Sequence, residues 1–357
     1  MKVDLFDLNR VLKSSEERLR DAFDSCLDHG RFIMGPEGRK FEEEFAINVG
    51  VKHCIGVSSG TDALQAIFMA LGLNSGDEII VPSFTFVASA SSIVRAGLKP
   101  VFADLEDNSF HPSLRTIKEA WTPKTKGVLA VHLFGEPEDL TEIKAFCDEK
   151  GAYLIEDCAQ SYGSTAGRSG LAAAYSFFPA KNLGCLGDGG AITTADDAFL
   201  DKVNMIRGHG SKVKYSYELL GGNFRLDTIQ ASFLSVLLRE ANGWVEKRRK
   251  NAAYYTEELK GISDLFLPKD KPGHSWNQYT LRTSRRDELR VYLDENKIGN
   301  AVYYPIPLHK SVQIFGTSNK LSETDRRCEE VLSIPIYPGL SEEERSYVAR
   351  KIKEFYQ

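Results

Sequence analysis

Between about residue 50 and about residue 200, short and almost wholly apolar runs alternate with amphipathic ones. His53–Val57, Glu78–Val81, Pro100–Leu105, Gly127–Phe134, Tyr153–Ala159 and Ala172–Phe178 carry few polar positions, as strands buried on both faces do. Between them, Asp62–Leu71 sets Ala63, Leu64, Ile67, Phe68 and Leu71 on one stripe. Thr141–Lys150 turns Ile143, Phe146 and Cys147 inward, and Gly151 stands where a helix would be capped. This alternation predicts an α/β fold, a three-layer and mostly parallel sheet with helices on both faces. Phe224 to about Lys260 is helical in pattern: Leu226, Ile229, Phe233, Leu234, Leu237 and Leu238 recur at helical spacing, followed by Trp244 and the basic run Lys247–Lys250. Pro268, Pro272 and Gly273 then break the chain, and the alternating runs Asn277–Arg282 and Asn300–Tyr304 fit a smaller α+β domain. The expected division is a large domain over 1–240 and a small C-terminal one over 241–357. The first 30 or so residues are expected to join the small domain or to cover the large one.

Composition narrows the function. The 357 residues are 42% hydrophobic and 27% charged, ordinary for a soluble globular protein. Lys and Arg number 45 and Asp and Glu 50, so the net charge is 45 − 50 = −5. Mild acidity disfavours nucleic-acid binding, which needs a basic footprint, but leaves room for a local basic pocket. The N-terminal Met1–Leu8 is charged and lacks an apolar core, so a signal peptide is not expected. Ile79–Val94, the longest uncharged stretch, contains Pro82 and several serines and is too short and polar to span a bilayer. Cys26, Cys54, Cys147, Cys158, Cys185 and Cys328 are scattered with no Cys-x-x-Cys, the pattern of reduced core thiols in a cytoplasmic protein. No two histidines lie within four residues of each other, so no metal site of the His-Glu-x-x-His kind is expected and none is assigned.

Four strand ends could carry chemistry, because ligands of doubly wound sheets bind beyond the carboxyl ends of the strands. Val57-Ser58-Ser59-Gly60-Thr61-Asp62 runs from strand to helix; it is either a serine cap or an anion site made of free N–H groups. Glu156 and Asp157 end an apolar strand, where a carboxylate is costly without a cation; they cap the next turn or serve a metal or a protonated ring nitrogen. Lys181 follows another apolar strand and precedes a glycine-rich segment; burial would free its amine as a nucleophile. Phe84-Thr85-Phe86 offers an aromatic face that belongs to the core or lies on a flat ligand. Pyridoxal phosphate needs all four: an anion cradle, an aromatic face, a carboxylate and a lysine.

In this order the motifs resemble the DegT/DnrJ/EryC1/StrS family of nucleotide-sugar aminotransferases, within the fold type I pyridoxal-phosphate enzymes. The resemblance covers nearly the whole chain. It runs from Gly35-Pro36-Glu37 through Ser58–Thr61, Pro82–Phe86, Glu156–Gln160, the Lys181 segment and Gly222–Asp227 to Tyr304–His309 and Pro335–Pro338. It implies that Lys181 is the Schiff-base lysine and that Asp157 partners the pyridine nitrogen. It further implies that Gln160 bonds near the ring hydroxyl, that Phe86 rather than Phe84 stacks on the ring, and that Gly60, Thr61 and Ser176 hold the phosphate. Asn223 would reach the phosphate from the neighbouring subunit of a homodimer with shared active sites. Arg225, Tyr304 and His309 would face the sugar nucleotide. A branch with histidine in place of this lysine dehydrates its substrate; Lys181 disfavours that branch. Gly187-Asp188-Gly189-Gly190 resembles members that aminate C3 of a keto sugar, whereas members acting at C4 more often have Gly-Glu-Gly-Gly. The expectation is therefore a transaminase passing an amino group from glutamate to a keto nucleotide sugar, at C3 of a UDP- or dTDP-linked hexose, for lipopolysaccharide or another glycan. The rivals are a C4 aminotransferase, a pyridoxal-phosphate sugar dehydratase and a non-catalytic regulator on the same fold.

Overall fold

The structure is a computed structural model that describes residues 1–315 and 320–357. Seven strands form the central sheet: β1 (His53–Val57), β2 (Glu78–Pro82), β3 (Lys99–Ala103), β4 (Thr125–Val131), β5 (Tyr153–Asp157), β6 (Ala172–Ser176) and β7 (Gly190–Thr194). Their order is β1-β7-β6-β5-β4-β2-β3. The pairs from β3 to β6 are all parallel, and β7 runs antiparallel to both β1 and β6. The first six strands follow from the apolar runs. β7 does not: its Gly190-Ala191-Ile192-Thr193-Thr194 continues the glycine-rich segment after Lys181 and looks like loop, yet every residue of it is buried. The glycine has a purpose here. A Cβ on Gly190 would lie 2.4 Å from the Ser59 carbonyl carbon, so β7 fits between β1 and β6 only with a bare backbone.

Two packed layers cover the sheet. On one face, Gly60–Ala70, Val87–Arg95 and Asp197–Arg207 bury Leu64, Ile67, Phe68, Ile93, Val203 and Ile206 with Ile55, Val81 and Ile192. On the other face, Thr141–Lys150 packs Ile143 and Cys147 against β4 and β5, and Gly151 closes it with φ 63°. A larger core joins Pro36–Val49, the long helix Thr228–Leu259 and the C-terminal region. Residue 240 lies inside that long helix, so the two parts share an element there and do not meet at a linker. The helix starts at Thr228 and not at Phe224, because Asn223, Arg225 and Asp227 pair as isolated bridges with Gly208, Val57 and Ile33.

The C-terminal part contains the antiparallel pair β10 (Tyr279–Arg282) and β11 (Val331–Ile334), with Arg286–Glu295 and Glu342–Tyr356 beside it. Asn300–Tyr304 forms no strand; Ala301 alone bridges to Ser333. Between the parts of the sequence lies a short hairpin, β8 (Ser211–Val213) and β9 (Ser216–Tyr217). At the N-terminus, the Val3 N–H donates to the Lys297 carbonyl at 2.9 Å and Arg10 pairs with Glu344. All six cysteines are free and buried. Among the described residues no helix is long and apolar enough to cross a membrane.

Candidate active site

Because β1, β5 and β6 run the same way, their carboxyl ends share one edge, and antiparallel β7 starts at that edge. A cavity of about 430 Å³ opens there. It is lined by Gly60, Thr61, Phe86, Asp157, Gln160, Ser176, Lys181 and Tyr304, eight residues drawn from five segments of the chain.

The two acids at the end of β5 are separated by the strand pleat, which points neighbouring side chains to opposite faces. Glu156 turns away from the cavity. It accepts from the N–H groups of Gly167, Ser169 and Gly170 at 2.7 Å each and meets His132 Nε2 at 2.9 Å. Asp157 turns towards the cavity and is buried. Its Oδ2 accepts from Ser89 Oγ at 2.7 Å and its Oδ1 from the Ala159 N–H at 3.1 Å. Burial raises its pKa above the usual carboxylate range, and Ser89, the Ala159 N–H and Lys181 oppose that rise. A buried carboxylate so placed gains from a cation against it.

Lys181 stands in the turn after β6, where its backbone N–H donates to the Phe178 carbonyl at 2.8 Å. Burial lowers its pKa from 10.5 to about 8, and the nearby charge of Asp157 resists that drop. The amine is therefore far easier to deprotonate than an ordinary lysine. On the opposite wall the helix Gly60–Ala70 begins. Ser59 caps it by accepting from the Asp62 N–H at 3.0 Å, and the first N–H groups, those of Gly60 and Thr61, remain for a ligand. A Cβ on Gly60 would approach Ser176 Cβ to 2.8 Å, so this wall needs glycine to bring helix start and Ser176 together. Phe84 and Phe86 part as the chain alternates: Phe84 is buried beside Phe110 and Phe134, while Phe86 is 52% exposed and lines the cavity. Gln160 Oε1 accepts from the Phe134 N–H at 2.7 Å, and its Nε2 donates to the Tyr304 hydroxyl at 3.2 Å.

Three of the expected residues do not line this chain's own cavity, two of them, Asn223 and Arg225, on the loop expected to serve a neighbouring subunit. His309 is buried elsewhere: its Nδ1 lies 2.8 Å from Ser83 Oγ and its Nε2 lies 3.3 Å from Asp325. In this chain His309 bonds Ser83 and faces Asp325, and so fastens the C-terminal part to the end of β2. Asn223 is exposed and Arg225 half-buried beside β1, and neither lines the chain's own cavity. Conversely, the sequence did not reveal Ser89, which holds Asp157 from 68 residues away, or Asn277 and Gln278, which line the cavity from the C-terminal part. The serine-rich run Ser89–Ser92 in an otherwise apolar helix was the only hint.

The residues present fit pyridoxal phosphate. Asp157 is a buried carboxylate lacking a full positive partner, Lys181 is a readily neutralised amine, Phe86 exposes a ring face, and the Gly60–Thr61 helix start suits an anion. Comparison with known proteins agrees. The chain matches the DegT/DnrJ/EryC1/StrS aminotransferase family over residues 13–353. It is 41% identical to a "Pleiotropic regulatory protein" of Geobacillus stearothermophilus, over 100% of this chain and 99% of that one. It is 38% identical to a dTDP-3-amino-3,4,6-trideoxy-alpha-D-glucose transaminase of Streptomyces venezuelae, covering 96% and 94%. Its fold superposes with a TM-score of 0.96 and 36% identity on the crystal structure of S. venezuelae DesV in complex with a ketimine intermediate, covering 100% and 99%. Site and comparisons together place this pyridoxal-phosphate-dependent enzyme in the DegT/DnrJ/EryC1/StrS aminotransferase family.

Proposed function

We propose that this aminotransferase carries an amino group from glutamate to C3 of a keto hexose linked to UDP or dTDP, for instance a UDP-2-acetamido-3-keto sugar, in lipopolysaccharide or other glycan biosynthesis. The observation that carries the transaminase chemistry is Lys181 and Asp157 facing one cavity, the amine pushed down to about 8 and the carboxylate left without a full cation. When bound, pyridoxal phosphate supplies a carbonyl that takes up the amino group and a ring that draws electrons from the reacting carbon. Asp157, oriented by Ser89 and the Ala159 N–H, holds the proton on the ring nitrogen. Lys181, about half neutral near pH 8, takes a proton from the donor's α-carbon and returns it on the other side of the amino group. Gly60, Thr61 and Ser176 hold the phosphate, Phe86 covers one ring face, and Gln160 and Tyr304 border the ring hydroxyl and the sugar side.

A nucleotide-linked substrate is supported by the S. venezuelae relative, whose name specifies a 3-amino dTDP sugar. The C3 position draws further support from Asp188 in Gly187-Asp188-Gly189-Gly190 beside the cavity. A homodimer with shared sites is supported by two features. Asn223 and Arg225 have no place in their own cavity, and the exposed apolar residues Phe32, Ile33, Met34 and Leu220 lie on neighbouring segments. The regulatory name of the G. stearothermophilus relative keeps one rival alive. The complete set of Lys181, Asp157 and Gln160 in one cavity favours a catalyst.

The test has two stages. Glutamate added to the holoenzyme should release oxoglutarate and convert the borohydride-sensitive absorbance band, and keto nucleotide sugars should then be aminated, 3-keto before 4-keto compounds. Lys181→Ala should abolish turnover; full activity in that variant overturns the proposal. Failure of the chain to bind pyridoxal phosphate favours the regulator.

A further inference from the structure

Asp157 is held by more than Ser89 and the Ala159 N–H. Behind Ser89 stands Thr85, whose Oγ1 lies 3.0 Å from Ser89 Oγ, and Ser89 Oγ lies 2.7 Å from Asp157 Oδ2. All three side chains are buried, and Thr85 and Asp157 both line the cavity. Counting protons sets the direction of each bond. A serine hydroxyl has one proton, and a charged carboxylate only accepts. Ser89 therefore gives its proton to Asp157, and its oxygen is left to accept. The proton between Thr85 and Ser89 must then be that of Thr85. Both O–H groups point the same way, towards the carboxylate, and each polarises the next.

Thr85 has no other visible task. It stands at the start of the helix Val87–Arg95, where a threonine usually accepts from a free N–H. That helix has no side-chain cap, and among the described residues the Thr85 hydroxyl bonds Ser89 alone. Without it, Ser89 Oγ would be a buried oxygen with an unmet lone pair, free to turn its proton elsewhere. We propose that Thr85 is a positioning residue for the amino transfer: by donating to Ser89 it aims the one Ser89 proton at Asp157, and so keeps that carboxylate charged and oriented for the ring nitrogen. The inference rests on Asp157 being the partner of the ring nitrogen and not on which sugar is aminated. Other groups that titrate also face Asp157: Lys181 after β6, His132 after β4, the neighbouring Cys158 and Tyr304 from the C-terminal part. A change at Thr85 leaves all of them in place. Ser92, one turn further along the same helix, supplies a control. It is as buried as Ser89, but it donates to the Thr61 carbonyl at 3.2 Å and not to Asp157.

Binding of pyridoxamine phosphate to the full chain, followed by protein fluorescence from about pH 5 to pH 9, tests it. This probe has no aldehyde, so Lys181 captures nothing and the charge on Asp157 is read directly. Affinity should fall on the acid side as Asp157 takes up a proton, and Asp157→Asn should remove that part of the fall. Thr85→Val keeps the shape and loses the hydroxyl; it should move the midpoint of the fall upward by about half a pH unit, roughly threefold in affinity below the midpoint. Thr85→Ser should restore the midpoint, and Thr85→Ala serves the same comparison if valine upsets the packing. Ser89→Ala should move the midpoint at least as far as Thr85→Val. Adding Thr85→Val to Ser89→Ala should move it no further, because Thr85 acts only through Ser89. Ser92→Ala should leave the midpoint in place, whatever it costs in stability. An unmoved midpoint in folded Thr85→Val or Thr85→Ala, or a shift that adds to that of Ser89→Ala, overturns the proposal while leaving Asp157 in its role. An acid-side fall unchanged by Asp157→Asn overturns the assignment of Asp157 itself, and the proposal with it.

Discussion

The depressed pKa of Lys181 makes a quantitative claim about how the cofactor-free protein captures pyridoxal phosphate. Only the neutral amine attacks an aldehyde. With a pKa of about 8 in place of 10.5, the neutral fraction at pH 7 is about one in ten, against roughly one in three thousand for an ordinary lysine, a gain of about 300-fold. Capture, followed by the rise of the borohydride-sensitive band after mixing, should accelerate about fifty-fold from pH 6 to pH 8 and flatten near pH 9. Asp157 opposes the depression, so Asp157→Asn should move the break below 8 and speed capture at pH 7. The same variant loses the charge that holds the ring proton, and its transamination should fall roughly a hundredfold or more. Faster capture with slower turnover is a signature that misfolding does not mimic. The linkage sign is also fixed. The unfolded chain holds the lysine proton up to about 10.5 and the folded chain only to about 8. Lys181 therefore adds stability as pH rises through that window, fully present above it, and the cofactor-free protein should show this relative to Lys181→Met in urea unfolding. A capture rate that keeps climbing tenfold per pH unit past pH 9 would refute the reasoning, because it would mean that Lys181 titrates like an exposed lysine.

Ser89→Ala removes a hydrogen bond to a buried carboxylate, and should cost about 1.5–3 kcal/mol in denaturant unfolding. It should also push the Asp157 pKa higher, shifting the acid limb of the turnover profile towards neutral pH. Gly60→Ala places a Cβ 2.8 Å from Ser176 Cβ, and pyridoxal phosphate should bind roughly tenfold more weakly or worse by fluorescence titration, about 1.4 kcal/mol. His309→Ala should lower stability by about 1–3 kcal/mol and leave the KM for the sugar nucleotide unchanged, since its ring is spent on Ser83 and Asp325. A raised KM with unchanged stability would return His309 to the ligand.

The alternation of apolar and amphipathic runs was enough to place six of the seven strands of the sheet, because each of them is buried on both faces and has little choice of residue. β7 escaped for a physical reason: the close approach of Gly190 to Ser59 demands glycine, and glycine erases the pattern that marks a strand. The site was legible where one residue does one job on a local segment. Lys181, Asp157, Gly60, Thr61, Phe86, Gln160, Ser176 and Tyr304 all reach the cavity. It was illegible where function is shared between distant segments, as with Ser89 behind Asp157 and Asn277 and Gln278 on the cavity wall. His309 shows the opposite limit. A histidine beside a ligand and a histidine held between Ser83 and Asp325 look alike in a sequence, and only their neighbours in the fold separate them.

The overall charge of −5 sharpens this point. The phosphate-bearing cofactor and the proposed substrates, a dicarboxylate donor and a nucleotide diphosphate sugar, are all anions, so on this proposal the protein must attract them against its own mean field. Within one chain the cavity offers the Gly60–Thr61 helix start and an amine that is partly neutral near pH 8. These serve the phosphate and the chemistry but leave a diphosphate without a cation. Arg225 is the nearest candidate in sequence, and its Nε is buried without a partner, turned away from its own cavity. If the proposed dimer brings Arg225 to the neighbouring cavity, Arg225→Ala should raise the KM for the sugar nucleotide while leaving the glutamate half-reaction intact. Mixed dimers of Lys181→Ala and Arg225→Ala chains should then recover activity, because one of the two cavities would combine an intact lysine with an intact arginine. Absence of recovery in dimers shown to have mixed would mean that each chain supplies its own cation, and the shared-site proposal would fall.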